Sequence, residues 1–257
     1  MATVLDTVPT IRALTPRFDA GIGPKGRIGF IALANGYVSE HEVAAIVPRD
    51  ALVVYVSRVA SDNVINLDNL RAIEADITRA AGMILPADRI DVMVYGCTSG
   101  TIALGEDRVA EKIRAARPGV AVTTPITGAL AAFKTLDIKR IVLLTPYIFE
   151  VTAAMRNYIV RRGIEVLDCA TFNCTLNSDQ QRVTPDAIAE AAIALDRKDA
   201  DAIFVCCTAL RAAGIIERVE AATGKPVVTS NQALAWHAMR LARYREAVSG
   251  YGRLLRV

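Results

Sequence analysis

The sequence contains few histidines, few aromatic side chains and no large excess of charge of either sign. Only two of its 257 residues are histidine and 5% are aromatic, whereas 53% are hydrophobic. The 30 basic and 27 acidic residues leave a net charge of +3. This near balance argues against a nucleic-acid-binding protein, because such proteins usually concentrate basic charge on one face. The composition instead favours an α/β core rich in aliphatic side chains.

Long apolar segments are also absent. The longest charge-free stretch, residues 118–133, is broken by Pro125 and Gly128 and is too short to span a bilayer. The first 18 residues carry three charges and no continuous apolar core, which disfavours a signal peptide. Five cysteines are an odd number, and without an export signal they are expected to be reduced thiols. We therefore expect a soluble, cytoplasmic protein that binds neither nucleic acid nor membrane.

Two segments of the sequence share an apolar run that ends in cysteine followed by threonine. The first reads VMVYGCTSG around Cys97, and the second reads IFVCCT, with Cys207 as its last cysteine. These two cysteines lie 110 positions apart, and the run that begins at Arg140 parallels the run at Arg27 at an offset of 113. The similar offsets predict two copies of one α/β unit, with the two thiols at equivalent points.

Apolar strands alternate with helical patterns along both halves of the chain. Strands are expected at residues 28–34, 52–56, 91–96, 120–123, 140–147, 163–171, 202–206 and 226–229. Helices are expected from Ser39, whose side chain could cap the first one, after Pro125, where a first-turn proline is tolerated, and at 67–81, 99–116, 185–195, 210–222 and 232–244. Such alternation is typical of parallel sheets covered on both faces, so the predicted fold is α/β with two pseudo-symmetric lobes.

The predicted lobes are preceded by a lead-in segment, residues 1–26. We expect the first lobe to comprise residues 27–130 and 231–257, and the second to comprise residues 131–230. The lead-in includes a Gly-x-Gly-x-x-Gly spelling that begins at Gly21, which is the spacing of a dinucleotide-binding loop. These glycines precede the first strand and include a proline between them, so a plain turn is the favoured interpretation.

Polar side chains follow the predicted strands at their carboxyl ends, where open parallel sheets bind ligands. They are Asn35, Cys97, Thr98, Ser99, Thr123, Thr124, Tyr147, Cys207, Thr208, Ser230 and Asn231. A cysteine at the start of a helix lies near the positive end of the helix dipole, which lowers the thiol pKa and favours the thiolate. Free N–H groups at such a helix start also suit a bound carboxylate. Two such ends facing each other predict a site for a small dicarboxylate or an amino acid.

Each cysteine also has a simpler interpretation, because cysteine is among the most buried residue types. Packing is the favoured role of Cys169, Cys174 and Cys206. For Cys97 and Cys207, the matched positions and the shared following threonine favour a functional role. A metal site is disfavoured, because the two histidines lie in helical patterns away from both cysteine motifs.

Four further positions have two possible roles. Tyr147 could be a core aromatic, but its place at a strand end favours a hydroxyl that donates to a ligand carboxylate. Asn35 and Asn177 suit ordinary turns as well as ligand binding, and the residues alone do not separate these alternatives. Arg58 is more typical of a structural, salt-bridging arginine.

The two cysteine motifs, together with the segment GKPVVTSNQA that begins at Gly224, resemble the aspartate/glutamate racemase superfamily. Within it, the chain is most similar to the branch that holds maleate cis–trans isomerases, arylmalonate decarboxylases and ectoine-utilisation racemase-like proteins. The resemblance covers nearly everything from Arg27 onward. It implies two pseudo-symmetric α/β lobes, an active site between them, and an enzyme that needs no cofactor.

The resemblance also implies roles for individual residues. Cys97 and Cys207 match the catalytic cysteines of the first and second lobes, one as nucleophile or base and the other as its partner acid or base. Substrate-binding positions are matched by Asn35, Thr98, Tyr147, Asn177 and Thr208. Ser99 follows in the first motif and is expected to contribute at the same strand end.

The chain departs from the family pattern in two respects. Two cysteines argue against simple arylmalonate decarboxylation, for which the resemblance implies only the second-lobe cysteine. The residues after each cysteine, Thr-Ser-Gly and Thr-Ala-Leu-Arg, are closer to the ectoine-utilisation proteins than to typical maleate isomerases. We predict an isomerase that acts on a maleate-like diacid or racemises an amino-acid derivative, as a homodimer or higher homo-oligomer. Decarboxylation of a malonate-like acid and non-catalytic metabolite binding are the alternatives.

Overall fold

Two parallel β-sheets of four strands each form the framework of the computed structural model, which describes residues 11–19 and 21–257. The strand order is β2-β1-β3-β4 in the first sheet and β6-β5-β7-β8 in the second. The strands are β1 (Gly26–Leu33), β2 (Leu52–Val59), β3 (Val92–Tyr95), β4 (Ala121–Thr123), β5 (Arg140–Thr145), β6 (Glu165–Thr171), β7 (Ala202–Val205) and β8 (Val227–Thr229). The predicted α/β fold with two similar lobes is confirmed.

Helices connect the strands and cover the sheets. In the first half they are α1 (Val38–Ile46), α2 (Leu67–Ala72), α3 (Glu74–Met83), α4 (Thr98–Leu104), α5 (Glu106–Ala116) and α6 (Pro125–Thr135). In the second half they are α7 (Phe149–Arg161), α8 (Asn177–Gln180), α9 (Pro185–Ala194), α10 (Ile216–Thr223) and α11 (Ser230–Leu241), with 3₁₀ helices at Ala213–Ile215 and Arg253–Arg256.

The two sheets match each other down to individual residue pairs. Ile28 of β1 lies opposite Val92 of β3, and Ile141 of β5 lies opposite Ala202 of β7. Every residue of β3 and β7 is buried, as expected for inner strands of parallel sheets that are covered on both faces. The equivalent registers place the two cysteine motifs at the same point of their sheets.

Two helices that are predicted as single elements are each divided in two. Segment 99–116 breaks at Gly105, whose φ of 95° favours glycine. Segment 67–81 breaks at Ile73, between α2 and α3. Apolar residues keep their helical spacing across the second break, so periodicity alone predicts one continuous helix there.

The predicted cap at Ser39 is wrong, whereas the first-turn proline is confirmed. Ser39 lies inside α1 and is buried, and Tyr37 occupies the N-cap without a side-chain hydrogen bond. Pro125 is the first residue of α6, and the Thr124 hydroxyl accepts the Thr127 N–H at 3.2 Å. A hydroxyl cap followed by proline is a common way to begin a helix.

The glycine-rich segment before β1 is a turn, as predicted. Gly21 and Gly23 have φ values of 70° and 72°, and the Gly26 N–H donates to the Gly23 carbonyl at 3.1 Å. Residues 11–19 have no regular secondary structure, and the other lead-in residues before Gly21 lie outside the described part of the chain.

Three further expectations concern the chain as a whole. Within the described ranges, no helix combines the length and the apolar character that crossing a bilayer requires. The division of the chain into the two stated lobes stays a prediction. The homo-oligomeric state stays a prediction as well.

Helices α6 and α11 approach each other closely at Gly128. A Cβ atom at Gly128 would lie 2.6 Å from the Ala233 carbonyl oxygen and 2.9 Å from the carbonyl carbon. Both obstacles are main-chain atoms, so no side chain can move aside. Because α11 begins at Ser230, this contact fixes the helix that carries the residues following β8.

We expect Gly128→Ala to lower the free energy of unfolding by about 1–3 kcal/mol, the usual cost of overpacking a well-packed region. Gly82→Ala in α3 is the matched control, because the nearest obstacle to its new Cβ atom is the Ala116 Cβ at 3.7 Å. The control should raise the free energy of unfolding by about 0.5–1 kcal/mol. Urea denaturation measures both values, and stabilisation by both substitutions would contradict the close approach.

Candidate active site

The two cysteine motifs lie at the carboxyl ends of the inner strands β3 and β7. The Gly96 N–H donates to the Ile31 carbonyl at 2.9 Å, and the Cys206 N–H donates to the Leu144 carbonyl at 2.8 Å. Each motif therefore leaves its sheet beside the corresponding neighbouring strand, β1 or β5. The duplication predicted from the sequence extends to the start of both motifs.

Hydrogen bonds join the two motifs directly. The Ser230 hydroxyl accepts the Thr98 hydroxyl proton at 3.1 Å and the Cys207 N–H at 3.0 Å. The Thr208 hydroxyl donates to the Gly96 carbonyl at 3.0 Å. All five residues are buried. The two halves of the chain therefore meet at the cysteine motifs, in one buried polar cluster.

Cys97 is the N-cap of α4, and its sulfur takes the place of an oxygen cap. The Gly100 N–H donates to Sγ at 3.2 Å, and the Ser99 hydroxyl lies 3.8 Å from the same sulfur. A Cβ atom at Gly100 would lie 2.7 Å from the Tyr95 hydroxyl and 2.9 Å from Sγ, so only glycine lets the sulfur approach this turn. The helix predicted from Ser99 is present and begins one residue earlier, at Thr98.

Cys207 has a different local geometry. Its φ is 150°. The next α-helix after Cys207 begins only at Ile216, so the predicted helix start at Leu210 is wrong. The Cys207 Sγ accepts the Ala209 N–H at 3.3 Å, and the thiol donates to Gln180 Oε1 at 3.6 Å. Of the two cysteines, Cys97 caps the helix that follows it in the chain, whereas Cys207 leads into an irregular turn.

Burial dominates the ionisation of both thiols. It raises the pKa of Cys207 to about 12, against the hydrogen bonds from Tyr147 and from the Ala209 N–H. It also raises the pKa of Cys97, against the Gly100 N–H. The predicted lowering of the thiol pKa is therefore wrong for this closed arrangement, because lost hydration outweighs one or two hydrogen bonds and one short helix.

Tyr147 borders Cys207, whereas the two predicted asparagines meet each other. The Tyr147 hydroxyl lies close enough to the Cys207 thiol to lower the thiol pKa, and Tyr147 is 1% exposed. The Asn177 side-chain amide donates to the Asn35 carbonyl at 3.3 Å. The Asn35 side chain accepts a serine hydroxyl at 2.8 Å and donates to a carbonyl at 3.0 Å, both in the loop after β2. Its own lobe therefore already engages the Asn35 side chain.

Two loops close this end of the lobes. The loop after β2 pairs with the loop after β6 through an antiparallel bridge between Val64 and Leu176, and the Asn177 N–H donates to the Asn63 carbonyl at 2.7 Å. The small pocket lined by Asn177 and Thr208 has room for no more than about one water molecule. In this closed arrangement the pocket is too small to hold a dicarboxylate.

Ser230, Asn231 and Glu42 complete the cluster. The sequence places Ser230 and Asn231 at a strand end without a stated role, and it does not assign Glu42 to the site. The Glu42 carboxylate accepts the Asn231 side-chain N–H at 2.7 Å and the Ala213 N–H at 2.9 Å. Its signal in the sequence is its place on the buried face of α1, four positions from buried apolar residues on either side. Ser230 and Asn231 have no such signal beyond following a strand.

Glu42 has the one carboxyl group of this cluster among the described residues. Burial raises its pKa from the usual 4.5 to about 7, against the hydrogen bonds from Asn231 and from the backbone of Ala213 and Ala212. The nearby Arg211 charge lowers the pKa by a smaller amount. The carboxyl group therefore keeps its proton to a higher pH than an exposed glutamate does.

Arg58 is structural, as predicted. Its guanidinium donates to the Leu33 and Gly36 carbonyls, each at 2.9 Å, and pairs with Glu40. These contacts hold the turn between β1 and α1. Arg58 therefore shapes the chain around Asn35 without facing the thiols.

The remaining cysteines and histidines lie apart from the cluster of the two thiols or inside the core. Cys206 is fully buried in the core, while Cys169 and Cys174 are half-buried. The His237 Nδ1 lies 2.7 Å from the Thr123 hydroxyl. Among the residues that the structure describes, no three His, Cys, Asp or Glu side chains are grouped to hold a metal ion.

Larger cavities lie away from the thiols. One of about 700 Å³ is lined by Arg89, Arg117 and Arg243, at the amino ends of β3 and β4. Another of about 450 Å³ is lined by His41 and Arg211. Neither is lined by a cysteine, so cavity size does not identify the site, whereas the hydrogen bonds between the two motifs do.

Comparisons with known proteins agree with this geometry. The family model described as arylmalonate decarboxylase matches residues 102–255. Maleate isomerase from Pseudomonas putida is 29% identical over 243 residues, which cover 89% of this chain and 96% of that protein. Arylmalonate decarboxylase from Bordetella bronchiseptica is 30% identical over 139 residues, which cover 53% of this chain and 58% of that protein.

Solved structures share the two-sheet fold. One is a cysteine-to-serine mutant of Nocardia farcinica maleate cis–trans isomerase with a covalently bound succinylcysteine intermediate. It has a TM-score of 0.83 at 23% identity and covers 90% of this chain and 98% of its own. Another is arylmalonate decarboxylase in liganded form, with one glycine changed to cysteine and one cysteine to serine. It has a TM-score of 0.79 at 25% identity and covers 89% and 98%.

The raised pKa of Glu42 predicts a pH-dependent stability. Between pH 4.5 and about 7, the folded state keeps a proton that the unfolded chain releases. Raising the pH through this window therefore destabilises the fold, by about 3 kcal/mol once the window is passed. Glu42→Gln removes this titration.

We expect the free energy of unfolding of Glu42→Gln to gain about 3 kcal/mol relative to the unchanged protein between about pH 4.5 and about pH 8. Urea denaturation at several pH values measures the difference between the two proteins. Taking the difference cancels the other titrating groups. Parallel curves over this range would contradict a buried Glu42 with a raised pKa.

Proposed function

Since the chain belongs to the arylmalonate decarboxylase family, we propose that it is a two-cysteine isomerase of a small carboxylate, that it needs no cofactor, and that its substrate is a maleate-like diacid. The observation that supports this most is the Ser230 hydroxyl, which accepts hydrogen bonds from Thr98 in the first motif and from the Cys207 N–H in the second. Two thiols in one buried cluster suit the addition of sulfur to a double bond and its reversal.

The proposed reaction begins when the Cys97 thiolate adds to one carbon of the double bond. The sulfur–carbon bond forms as the π bond breaks, and the Cys207 thiol gives its proton to the other carbon. This leaves a succinyl thioether on Cys97 and a thiolate on Cys207. Rotation about the carbon–carbon single bond then brings the carboxylates trans. Cys207 takes a proton back, the sulfur–carbon bond breaks, and the trans diacid leaves with the Cys97 thiolate restored.

Local geometry favours Cys97 as the nucleophile and Cys207 as the proton donor. Cys97 caps α4, and a helix N-terminus stabilises a thiolate. Burial raises the pKa of Cys207 to about 12, so this thiol stays protonated and can donate its proton to the substrate carbon. A succinylcysteine, the species that this step would form, is bound in the Nocardia farcinica maleate isomerase structure.

The two substrate carboxylates need donors on both sides of the double bond. Thr98 and Ser99 present the first N–H groups of α4. The Tyr147 hydroxyl lies near the Cys207 thiol and would donate a hydrogen bond to a carboxylate oxygen once the substrate is bound. Asn177 and Thr208 line the small pocket beside the cluster and would complete the set.

Decarboxylation of a malonate-like acid is the second candidate, because the matching family is described as arylmalonate decarboxylase. Both reactions bind a diacid beside a thiol. They differ in what leaves, since decarboxylation releases carbon dioxide and isomerisation releases nothing. Offering the protein maleate, phenylmalonate and a chiral amino-acid derivative in parallel separates isomerase, decarboxylase and racemase.

We expect the protein to convert maleate to fumarate, followed by proton NMR, and each of Cys97→Ser and Cys207→Ser to slow turnover at least about a thousandfold. Serine keeps the size of the side chain but is a far weaker nucleophile and acid at neutral pH. Cys169→Ser is the control and should retain full turnover, because Cys169 lies outside the cluster. Full activity in either single variant of the pair would rule out the two-thiol mechanism.

We expect Tyr147→Phe to lower kcat/KM for the diacid about 10- to 100-fold, because it removes one hydrogen bond to a charged carboxylate, worth about 1.5–3 kcal/mol. Steady-state kinetics on the purified variants measure the change. Tyr55→Phe in β2 is the matched control and should have the kcat/KM of the unchanged protein. An unchanged kcat/KM in Tyr147→Phe would exclude this hydroxyl from carboxylate binding.

A further inference from the structure

The turn that follows Cys207 is irregular, so its geometry depends on contacts from elsewhere. Cys207 has a φ of 150°, a conformation that non-glycine residues seldom adopt. Regular structure resumes only with the 3₁₀ helix at Ala213–Ile215. At Cys97, by contrast, α4 begins with the next residue and its own N–H groups fix the sulfur.

Glu42 is linked to both ends of this turn, to one directly and to the other through Asn231. One carboxylate oxygen, Oε1, accepts the Ala213 N–H at 2.9 Å. The other, Oε2, accepts the Asn231 side-chain N–H at 2.7 Å. The same Asn231 nitrogen also donates to the Thr208 carbonyl at 3.1 Å. A single carboxylate on α1 therefore fixes the far end of the turn directly and the near end through Asn231.

The orientation of the Asn231 amide depends on Glu42. The Asn231 Nδ2 group faces two acceptors, Glu42 Oε2 and the Thr208 carbonyl, so a flipped amide would set oxygen against oxygen. Its Oδ1 atom is buried and has no hydrogen-bond partner in the described part of the chain. Buried unpaired acceptors are rare and costly in native proteins. The orientation of the amide is therefore fixed by the two hydrogen bonds that its Nδ2 group donates.

No ion pair accounts for the burial of Glu42. Its side chain forms no salt bridge within the described residues, and the nearby Arg211 guanidinium donates instead to the Arg182 and Val183 carbonyls. Tyr37, His41 and Tyr251 add further titratable groups to the cavity that Glu42 and Arg211 line. The carboxylate therefore accepts two N–H groups, and the Arg211 charge acts on it without a direct ion pair.

We propose that Glu42 is a positioning residue for Cys207, which acts through Asn231 and the turn at 208–213. Ser230, which precedes Asn231 in α11, accepts the Cys207 N–H at 3.0 Å. Ser230 and Asn231, the first two residues of α11, thus bind the Cys207 turn at two points. Glu42 fixes the side chain of Asn231. The expected effect on turnover rests on the proposed function, whereas the expected effect on the reactivity of the Cys207 thiol does not.

The test measures the alkylation rate of each thiol by iodoacetamide in the substrate-free protein, resolved by peptide mass spectrometry. In Glu42→Gln, one carboxylate oxygen becomes an NH₂ group, which cannot accept a hydrogen bond. One of the two N–H donors then has no acceptor, so the turn loosens. We expect Cys207 alkylation to rise at least about fivefold while Cys97 alkylation stays within about twofold. With maleate as substrate, we expect kcat to fall at least about tenfold and KM to change less than about threefold, as for a misplaced catalytic group.

Two further variants keep the test decisive. Asn231→Ala breaks the link to Thr208 but leaves the Ala213 contact, and it should show the same selective effect on Cys207 even where Glu42→Gln does not fold. Glu220→Gln is the matched control, because Glu220 is also buried, at 8% exposed, and accepts two backbone N–H groups at 3.1 Å. It should lower stability without changing the ratio of the two alkylation rates.

The outcomes are distinguishable. Equal acceleration of both thiols in Glu42→Gln would show general loosening and overturn the proposal, as would unchanged alkylation of Cys207. A selective rise at Cys207 supports it. If the unchanged protein does not convert maleate, the proposed function fails, and the alkylation ratio still decides the role of Glu42.

Discussion

A single hydroxyl group, that of Ser230, joins the two halves of the chain where the chemistry is expected. It accepts one hydrogen bond from each cysteine motif, from the Thr98 hydroxyl and from the Cys207 N–H. In a buried site such bonds are strong and directional, and an orphaned donor costs about 1–3 kcal/mol. The thiols are therefore placed by main-chain turns that converge on Ser230. The close contact of α11 with Gly128 serves the same end, because it fixes the helix that begins at Ser230.

Burial of this cluster links the reactivity of the thiols to the opening of the site. Lost hydration is the largest cause of the raised pKa of both Cys97 and Cys207. Separation of the loops that meet at Val64 and Leu176 would return water and bring a charged substrate to the same place. The closed protein thus holds both thiols as poor nucleophiles, and the donors around them become effective only when the site is occupied.

The sequence predicted the architecture well, because duplication repeats every strand and the offsets of the motifs show it. It also placed Cys97, Cys207 and Tyr147 at strand ends, since parallel sheets leave their ligand-binding residues there. It failed where one contact decides the local structure. Nothing in the spacing shows that the helix after Cys207 starts late. Helical spacing places Glu42 on the buried face of α1, but it does not identify the partners of the carboxylate, because they lie on elements far away in the chain.

The two lobes have one strand order but treat their cysteines differently, and this asymmetry bears on the reaction. A racemase removes a proton from either face of one carbon, so each thiol must act as base in one direction and as acid in the other. Addition to a double bond needs one nucleophile and one acid. Cys97 caps a helix, whereas Cys207 sits in a strained turn with a pKa of about 12. A nearly symmetric scaffold with this unequal pair favours cis–trans isomerisation, because there the division of roles between the two sulfurs is an advantage.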